Sequence, residues 1–458
     1  MEFLNREAEL ETLNSIYEKG GFLPIYGRRR IGKTRLIQEF FSDKKGVYYL
    51  AAQEPEGQQV EEFKNLMAEH LEDDFLEESD ISDWKQLFNY LEQNMDTENK
   101  RSIIIDEVTY IIKRSESFPS YLQKFWDGFL KDSDTSLILS GSLIGLMKES
   151  ILNRSSPVYG RRSAQINLRP LEINHLQHLF DGFEKTIKVY SVLGGVPKYY
   201  EEANYSYDFS EMINEMLEPD SFFFEEGFFL LSQEFKELGQ YNAILRSISQ
   251  GQHEAPEIAN DIGMDNRQIY NYLDKLYEIG LVERQKPVTK EGSGRGQRYY
   301  VKDHFTRFWF KTIFPERSRI QSRKTGFRHV KKKVKHLTGQ TFEELSREAT
   351  AKQGEYQKTG RWWYREDEID VVALNEESER ILFGEAKWTN QKVGMKMLTD
   401  LEEKSQKVRW HDQESRNEEY ALFSKNGFRD DLKREAEQRE DLALYNLDEI
   451  FDVLAGAR

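Results

Sequence analysis

Short apolar runs alternate with segments of helical periodicity over the first third of the chain. Residues 23–26, 102–105 and 136–139 are apolar runs of the length expected for buried strands. Around the first run, apolar residues recur at helical spacing: Phe3, Leu4, Leu10, Leu13, Ile16 and Tyr17 before it, and Leu36, Ile37 and Phe40 after it. This alternation predicts a parallel α/β sheet, in which the strands end at one common edge.

The pattern changes between residues 238 and 313 to short helices followed by a hairpin. Apolar positions mark three helices: Tyr241, Ile244, Leu245 and Ile248; Ile258, Ala259 and Ile262; and Ile269, Leu273, Leu276 and Ile279. We expect Asp265 to cap the third helix and Gly280 to end it. Two strand-like runs then flank a polar loop, residues 286–297, which contains three glycines. The order predicts a helix-turn-helix with a flexible wing.

The last third of the sequence predicts a helix followed by strands. A helix opens at residues 339–343, the run at 361–364 comes next, and residues 368–374 and 381–388 form two strands separated by a polar turn. Residues 420–425 are the next expected strand after a further helix. The chain is therefore predicted to be a multidomain α/β protein.

Composition limits the classes of function that remain. A chain of 458 residues with 38% hydrophobic residues is long enough for several cores. Cysteine is absent, which excludes disulfides, thiolate zinc sites and cysteine nucleophiles. The sequence has no basic-then-apolar leader and no apolar run of about 18 residues. We therefore expect a cytoplasmic protein without a membrane partner.

The net charge of −16 conceals a strongly basic segment. Residues 317–335 carry nine lysines and arginines and no acid. Four of them stand at helical spacing on one face: Arg328, Lys331, Lys332 and Lys335. We expect a helical ridge that binds the phosphates of a nucleic acid, and the alternative is a solvated linker.

A phosphate-binding loop follows the first strand. Residues 27–34, GRRRIGKT, fit the pattern GxxxxGK[ST] at every fixed position, and a helical pattern continues from Leu36. Such a loop presents backbone N–H groups to phosphate at a helix N-terminus. Lys33 would contact the β- and γ-phosphates of ATP, and Thr34 would ligate Mg²⁺. Gly27, Arg30, Gly32 and Arg35 complete the expected loop contacts.

Polar residues end the second and third strands. Asp106 would hold Mg²⁺ through water, and Glu107 would polarise the attacking water at the strand's carboxyl edge. Ser142 follows the third strand, where a polar side chain could sense hydrolysis of the γ-phosphate. The alternative for Ser142 is an ordinary turn.

Several segments together resemble the archaeal-type ATPase family, a branch of the AAA+ and STAND P-loop proteins. They are residues 3–7 (FLNRE), 26–34, 140–142 (SGS), 159–161 (YGR) and 193–197 (LGGVP). The resemblance implies that Asn5 and Arg6 lie near the adenine and that Pro197 belongs to a helical lid over the base. It also makes Arg161 the best candidate for an arginine that contacts the γ-phosphate, across a subunit boundary if the protein forms a homo-oligomer.

The third helix of the middle region offers polar residues suited to DNA. Arg267 and Asn271 are of the types that contact base edges or phosphates, and the wing adds Lys290 and Arg295. The alternative is a purely structural role, because winged helices often act as packing domains in such ATPases.

Two carboxylates and a lysine are expected to meet in the last third. Glu385 and Lys387 share one face of a strand, and Asp370 can lie beside them on the adjacent strand. This set suits phosphodiester hydrolysis, with Asp370 and Glu385 holding Mg²⁺ and Lys387 activating water or stabilising charge.

This cluster resembles the PD-(D/E)xK nuclease core. The helix that begins GQTFE resembles the first motif of that superfamily, which implies that Glu343 is an additional carboxylate beside the metal. The region from about residue 320 resembles the nuclease-like DUF234 domain often appended to archaeal-type ATPases, which implies a restriction-endonuclease-like fold.

The whole division is then as follows: P-loop ATPase core 1–168, helical lid 169–237, winged helix 238–315, basic linker or helix 316–338 and nuclease-like domain 339–458. The leading hypothesis is an ATPase that positions or licenses a Mg²⁺-dependent nuclease on DNA. A STAND-like switch with an inactive binding module is the alternative. A DNA-binding transcription factor is a third interpretation, which depends only on the middle helices.

Overall fold

The computed structural model describes residues 3–290, 296–411 and 416–456. The chain divides into two compact units. Unit 1 contains the described residues up to Leu171, together with Val196–Glu201 and Ser232–Lys236. Unit 2 contains Glu172–Gly195, Glu202–Leu231 and the described residues from Glu237 onward. Within these described ranges, no helix has the length and apolar character needed to span a membrane.

Unit 1 is built on a five-stranded sheet in which every pairing is parallel. Its order is β2-β3-β4-β1-β5, with β1 Gly21–Tyr26, β2 Gly46–Leu50, β3 Arg101–Asp106, β4 Thr135–Gly141 and β5 Ile166–Asn167. The three strands expected from the sequence are the three central ones. All residues of β1, β3 and β4 are buried, which explains their continuous apolar character. The predicted parallel α/β core is confirmed.

Helices connect these strands and cover the sheet. They are α1 Glu7–Lys19, α2 Lys33–Phe41, α3 Glu56–Leu71, α4 Asp74–Glu78, α5 Trp84–Asn94, α6 Thr109–Arg114, α7 Phe118–Gly128 and α8 Ile144–Met147. Aromatic rings fill the core between α3, α5 and α7. Trp84 meets Phe118 edge to face at 5.1 Å, and Phe88 stacks on Phe125 at 5.0 Å between ring centroids. Such pairs add to the free energy gained from burial alone.

Four helices follow in the part of the chain that alternates between the two units. They are α9 Phe183–Leu193, α10 Pro197–Glu202, α11 Phe209–Met216 and α12 Phe222–Glu234. The structure thus has helices where a helical lid was expected, and the five-segment division of the chain stays a prediction.

A helix-turn-helix and a two-stranded hairpin open the larger part of unit 2. The elements are α13 Leu238–Gln250, α14 Ala255–Ile262, α15 Ile269–Glu278, β6 Val282–Gln285 and β7 Arg298–Val301. The third helix begins at Ile269, four residues after the expected cap. Asp265 instead accepts a hydrogen bond from the Arg267 backbone N–H at 2.7 Å, so its carboxylate stabilises a turn before the helix.

The remaining elements form a second sheet and its covering helices. The sheet order is β12-β11-β10-β9-β8. The helices are α16 His304–Phe308, α17 Phe314–Gln321, α18 Phe327–Lys352, α19 Met395–Ser405, α20 Asp430–Gln438 and α21 Leu447–Leu454. The strands are β8 Lys358–Tyr364, β9 Asp367–Asn375, β10 Arg380–Lys387, β11 Asn417–Ser424 and β12 Leu442–Tyr445. β8, β9 and β10 pair antiparallel, whereas β11 lies parallel to β10 and β12.

One helix in this region is longer than the sequence suggested. The helix expected to open at Gly339 begins at Phe327 and runs for 26 residues as α18. A glycine within a helix costs roughly 1 kcal/mol relative to alanine. The buried stripe continues across Gly339, however, with Val334 and Leu337 before it and Phe342 after it. Packing of that stripe outweighs the local preference of one glycine.

Close packing of α12 against Trp309 requires a glycine at position 227. The indole N–H donates to the backbone carbonyls of Phe223 and Phe224 at 3.1 and 3.2 Å. A Cβ atom on Gly227 would lie 2.2 Å from the indole ring. No side chain larger than hydrogen fits there without movement of one of the two elements.

We predict that Gly227→Ala lowers the free energy of unfolding by about 1–3 kcal/mol, because overpacking outweighs the better helix propensity of alanine. Gly239→Ala is the matched control, since this helical glycine has no atom within 4 Å of its Cβ position. It should raise stability by up to about 1 kcal/mol. Urea unfolding of both variants measures the difference, and equal effects would contradict the packing argument.

Candidate functional site

The loop between β1 and α2 has a backbone shape that its glycines make possible. Gly27 and Gly32 have φ values of 154° and 96°. A Cβ on Gly27 would lie 2.4 Å from the carbonyl oxygen of Leu168. Arg30 also has a positive φ, 70°, which is uncommon for a residue with a side chain. The loop therefore turns tightly into the N-terminus of α2.

Lys33 is the first residue of α2 and is buried. Its Nζ donates hydrogen bonds to the carbonyl oxygens of Gly27 and Arg28 at 3.0 and 2.9 Å. Burial lowers the pKa of the ammonium group, while the nearby charges of Glu107 and Asp106 act in the opposite direction. The cation is thus held within the loop that would surround a phosphate.

Thr34 and Asp106 meet across the edge of the sheet. Thr34 Oγ1 donates to Asp106 Oδ2 at 2.8 Å, and the Tyr48 hydroxyl donates to the same oxygen at 3.0 Å. Burial and the Asp106 charge raise the pKa of Tyr48. A hydroxyl beside a carboxylate is a suitable ligand pair for Mg²⁺, so the residues present fit this ion. Tyr48 was not anticipated, because no motif marks it.

Glu107 and Ser142 are joined where β3 and β4 end. Glu107 Oε2 accepts hydrogen bonds from the Ser142 hydroxyl at 2.7 Å and from its backbone N–H at 3.1 Å. Glu107 itself has a φ of 56°, a strained value of the kind found at functional sites. The proposed catalytic carboxylate and the proposed sensor therefore contact each other directly.

The residues expected near the adenine base, and Arg35 of the loop, differ in burial and in their contacts. Arg6 is buried and donates to the Arg169 carbonyl at 2.8 Å, and burial lowers its pKa. Asn5 precedes it with a φ of 46°. Pro197 begins α10, where the next backbone N–H, that of Lys198, points to the Arg30 carbonyl at 3.5 Å. Arg35, in contrast, is largely exposed and pairs with Glu39 at 3.7 Å.

Arg161 is held by an acid of its own chain. Its Nε and Nη2 donate to the two carboxylate oxygens of Asp127 at 2.9 and 2.8 Å. The hydrogen bonds to Asp127 raise the pKa of Arg161. The contacts of this arginine do not include Lys33, Asp106 or Glu107. Its assignment to the γ-phosphate stays a prediction.

Glu234 joins this site from a distant part of the sequence. Its carboxylate accepts hydrogen bonds from the backbone N–H groups of Ile144 and Gly145 at 3.1 and 3.5 Å, two and three positions after Ser142. Burial raises its pKa, and its charge acts on Lys33. No sequence signal pointed to it, because it belongs to no motif and lies 200 positions after the loop.

A second cluster lies at one end of β9 and β10. The register pairs Val371 with Gly384, so Asp370 and Glu385 are the next residues of each strand. Asp370 Oδ2 accepts the Ala386 backbone N–H at 3.0 Å, and Lys387 Nζ donates to Glu385 Oε1 at 3.1 Å. The three residues expected to share an edge are therefore neighbours.

Lys404 on α19 was not anticipated and contacts the same carboxylate. Its Nζ lies 3.3 and 3.2 Å from the two oxygens of Glu385. Burial and the Asp370 charge raise the pKa of Glu385, while Lys387 and Lys404 oppose the shift. The sequence pattern that predicts α19 does not indicate which strand the helix packs against, so Lys404 could not be assigned to this cluster from the sequence.

Glu343 on α18 pairs with Arg361 on β8, whose Nη2 donates a hydrogen bond to Glu343 Oε2 at 2.8 Å. Burial and the charge of Asp370 raise the pKa of Glu343 to about 7. Within residues 3–290, 296–411 and 416–456, no three histidine or acidic side chains converge as a metal site. Asp370 and Glu385 alone still form a two-carboxylate set, which is a common protein contribution to a hydrated Mg²⁺.

The residues expected to bind nucleic acid are mainly exposed. Arg267 lies in the turn before α15, Asn271 lies on that helix, and Lys290 lies in the loop between β6 and β7. Arg295 is outside the described residues. Four basic residues of α18 are exposed on one face and form no ion pair with any described residue: Arg328, Lys331, Lys332 and Lys335.

The glycine-rich loop, the lysine at the start of α2 and the acidic strand end define a P-loop ATPase. Residues 3–203 match the model of an ATPase domain predominantly from Archaea. Residues 309–405 match a family described as archaeal and bacterial proteins of unknown function. The chain belongs to the archaeal-type ATPase family and carries a DUF234 region toward its C-terminus.

Two relatives and one solved structure are similar to this chain. An uncharacterized protein of Methanocaldococcus jannaschii, MJECL04, is 33% identical over 460 residues, covering 98% of this chain and 99% of its own. An uncharacterized ATP-binding protein of the same organism, MJ0423, is 47% identical over 45 residues, 9% of this chain and 76% of its own. The fold is similar to that of the Walker-type ATPase PABY2304 of Pyrococcus abyssi, with a TM-score of 0.50 and 18% identity. That match covers 67% of this chain and 96% of that protein.

We predict a pH dependence of stability that originates at Glu343. Its folded pKa of about 7 lies above its ordinary 4.5, so its contribution is complete below pH 4.5 and is lost as the pH rises through 7. Between pH 5 and 8, wild type should lose about 2 kcal/mol of unfolding free energy relative to Glu343→Gln.

Urea unfolding at pH 5, 6, 7 and 8 measures this difference. Glu366→Gln, which changes an exposed carboxylate, should follow the wild-type pH profile. Parallel profiles for wild type and Glu343→Gln would show that the pKa of Glu343 is not raised.

Proposed function

We propose that this protein is a Mg²⁺-dependent ATP hydrolase coupled to the binding and cleavage of nucleic acid, and that this nucleic acid is DNA. The ATP half is supported by one observation above all. Thr34, Asp106, Glu107 and Ser142 form two hydrogen-bonded pairs at the carboxyl edge of one parallel sheet.

Each residue of the ATP site has a distinct task in this proposal. When ATP binds, the Lys33 ammonium group would leave the carbonyl oxygens of the loop and contact the β- and γ-phosphates. Thr34 and Asp106 would hold Mg²⁺, which would neutralise phosphate charge when bound. Glu107 orients the attacking water and accepts its proton, and Ser142 fixes the position of Glu107. Glu234 keeps the segment after Ser142 in place through two backbone N–H groups.

Equilibrium binding of a fluorescent ATP analogue and phosphate release test the ATP half. Lys33→Ala should weaken binding by more than about tenfold, because a charge contact to phosphate is worth at least 1.4 kcal/mol. Glu107→Gln should retain binding and lose hydrolysis, since the amide cannot accept the proton. Lys19→Ala, an exposed lysine on α1, is the matched control. Unchanged turnover in both site variants would refute the assignment.

The nucleic-acid half is supported by the surroundings of the second cluster. A helix, three antiparallel strands, a helix and a parallel strand follow each other from α18 to β11, which is the order of the PD-(D/E)xK core. Asp370 and Glu385 would hold Mg²⁺, which stabilises the charge of the scissile phosphate. Lys387 would orient the attacking water. Lys404 keeps Glu385 in place.

A cleavage assay on DNA and RNA, with Mg²⁺ or Mn²⁺ and with or without ATP, tests this half. Asp370→Ala and Lys387→Ala should each reduce cleavage at least a hundredfold without changing ATP turnover. Lys392→Ala, which alters an exposed lysine of the same unit, should cleave like wild type. Cleavage that survives both site substitutions would assign the activity to a contaminant.

We predict that the basic ridge of α18 binds phosphate groups without regard to sequence. The double variant Lys331→Ala/Lys332→Ala should weaken binding and reduce the slope of log K against log salt by about 1.8, because about 0.9 is expected per neutralised phosphate. Lys392→Ala/Lys396→Ala is the matched control, since both lysines are exposed elsewhere in unit 2. Equal slopes for the two double variants would exclude the ridge.

A STAND-like switch is the second candidate. It is favoured by ion pairs that already occupy two of the three acids of the cluster: Lys387 and Lys404 pair with Glu385, and Arg361 pairs with Glu343. The last domain would then be an inactive binding module, and Arg161 would act between subunits of an oligomer. ATP-dependent change in oligomer size without cleavage, measured by light scattering, distinguishes this candidate from the first.

A further inference from the structure

A small cavity in unit 2 has a cationic lining that neither the ATP site nor the carboxylate cluster explains. It has a volume of about 30 Å³ and is bordered by α13, α16 and α18 and by the π-helical turn Trp309–Ile313. Its basic lining residues are Arg307, Lys311, His253 and His336. Acidic side chains are absent from the lining, as far as the described residues extend.

The charges around this cavity are incompletely compensated. Lys311 Nζ donates to the Ser249 carbonyl at 3.1 Å, and no described acid pairs with it. Burial, Arg307 and Lys333 lower the pKa of Lys311 to about 8. Arg307 is paired with Glu344 through its terminal nitrogens, but its Nε has no partner among the described residues. A buried cation without a counter-charge is unfavourable, so this lining favours an anion.

Ser249 provides a second and independent observation. The residue is 5% exposed and lines the cavity, and its hydroxyl has no hydrogen-bond partner among the described atoms. Buried hydroxyls nearly always make a hydrogen bond, and burying a hydroxyl without one is unfavourable. Gln340 adds an amide whose NH₂ group can be turned inward.

The size of the cavity limits the kind of anion. The 30 Å³ is the space within which the centre of a water-sized atom can lie, and it equals the volume of a sphere of roughly 1.9 Å radius. The oxygens of a tetrahedral oxyanion lie about 1.5 Å from its central atom, so one such ion fits in the space of about two waters. A nucleotide does not fit.

We propose that this cavity binds a single inorganic oxyanion of the phosphate type. Lys311 and the Ser249 hydroxyl donate to the ion, Arg307 provides a permanent positive charge, and His336 lies at the exposed rim. The ion joins the end of α13 to the turn after α16 and to α18. It therefore connects the helix-turn-helix region to the long helix that carries Glu343, independently of ATP.

Thermal unfolding of the full chain at pH 7 tests the site, in potassium phosphate and in potassium chloride of equal ionic strength. Phosphate at about ten times its Kd should raise Tm by about 3 °C. The same increment is expected for Lys33→Ala, which removes phosphate contact at the P-loop. Lys311→Met should lose the increment, and Lys324→Met, an exposed lysine outside the cavity, should keep it.

Ser249→Ala gives a signature that does not depend on the folding of Lys311→Met. Removal of an unsatisfied hydroxyl should raise Tm in chloride, while the loss of a donor should shrink the phosphate increment by half or more. The proposal would be overturned if wild type had the same Tm in phosphate and in chloride, if phosphate still raised the Tm of Lys311→Met, or if it no longer raised the Tm of Lys33→Ala.

Discussion

The common direction of the five strands in unit 1 determines where its chemistry lies. Because β1, β3 and β4 all end at one edge, the loop with Lys33, the acids after β3 and the serine after β4 are neighbours despite wide separation in sequence. The hydrogen bonds from Thr34 to Asp106 and from Ser142 to Glu107 are direct results of that arrangement. Reversal of any one of these strands would separate at least one of the two pairs.

The second sheet achieves a similar result by different means. Its carboxylates are brought together by antiparallel register, because Asp370 comes just before Val371 and Glu385 just after Gly384, the residue paired with Val371. Helices then add one cation and a further acid: Lys404 from α19 and Glu343 from α18. The cations Lys387, Lys404 and Arg361 offset part of the acidic charge, but burial and the charge of Asp370 still raise the pKa of Glu343 and Glu385.

Site residues that belong to a local sequence motif could be predicted from the sequence. Site residues that only tertiary packing brings to the site could not. The loop before α2 and the ends of β3 and β4 followed from glycine spacing and apolar runs. Glu234 and Tyr48 reach the same site from elements whose sequence carries no motif. The continuity of α18 through Gly339 was missed because a local breaker was outweighed by the buried stripe on either side.

The length of α18 sets a geometric relation between its two halves. Arg328 and Glu343 are fifteen positions apart on one helix, a rise of about 22 Å, and Lys335 and Glu343 are eight apart, about 12 Å. A nucleic-acid strand advances about 3.4 Å per nucleotide in a duplex. Under the proposed function, a nucleic acid bound to the ridge and to the carboxylates at once would span roughly four to seven nucleotides, and shorter fragments would reach one end of the helix only.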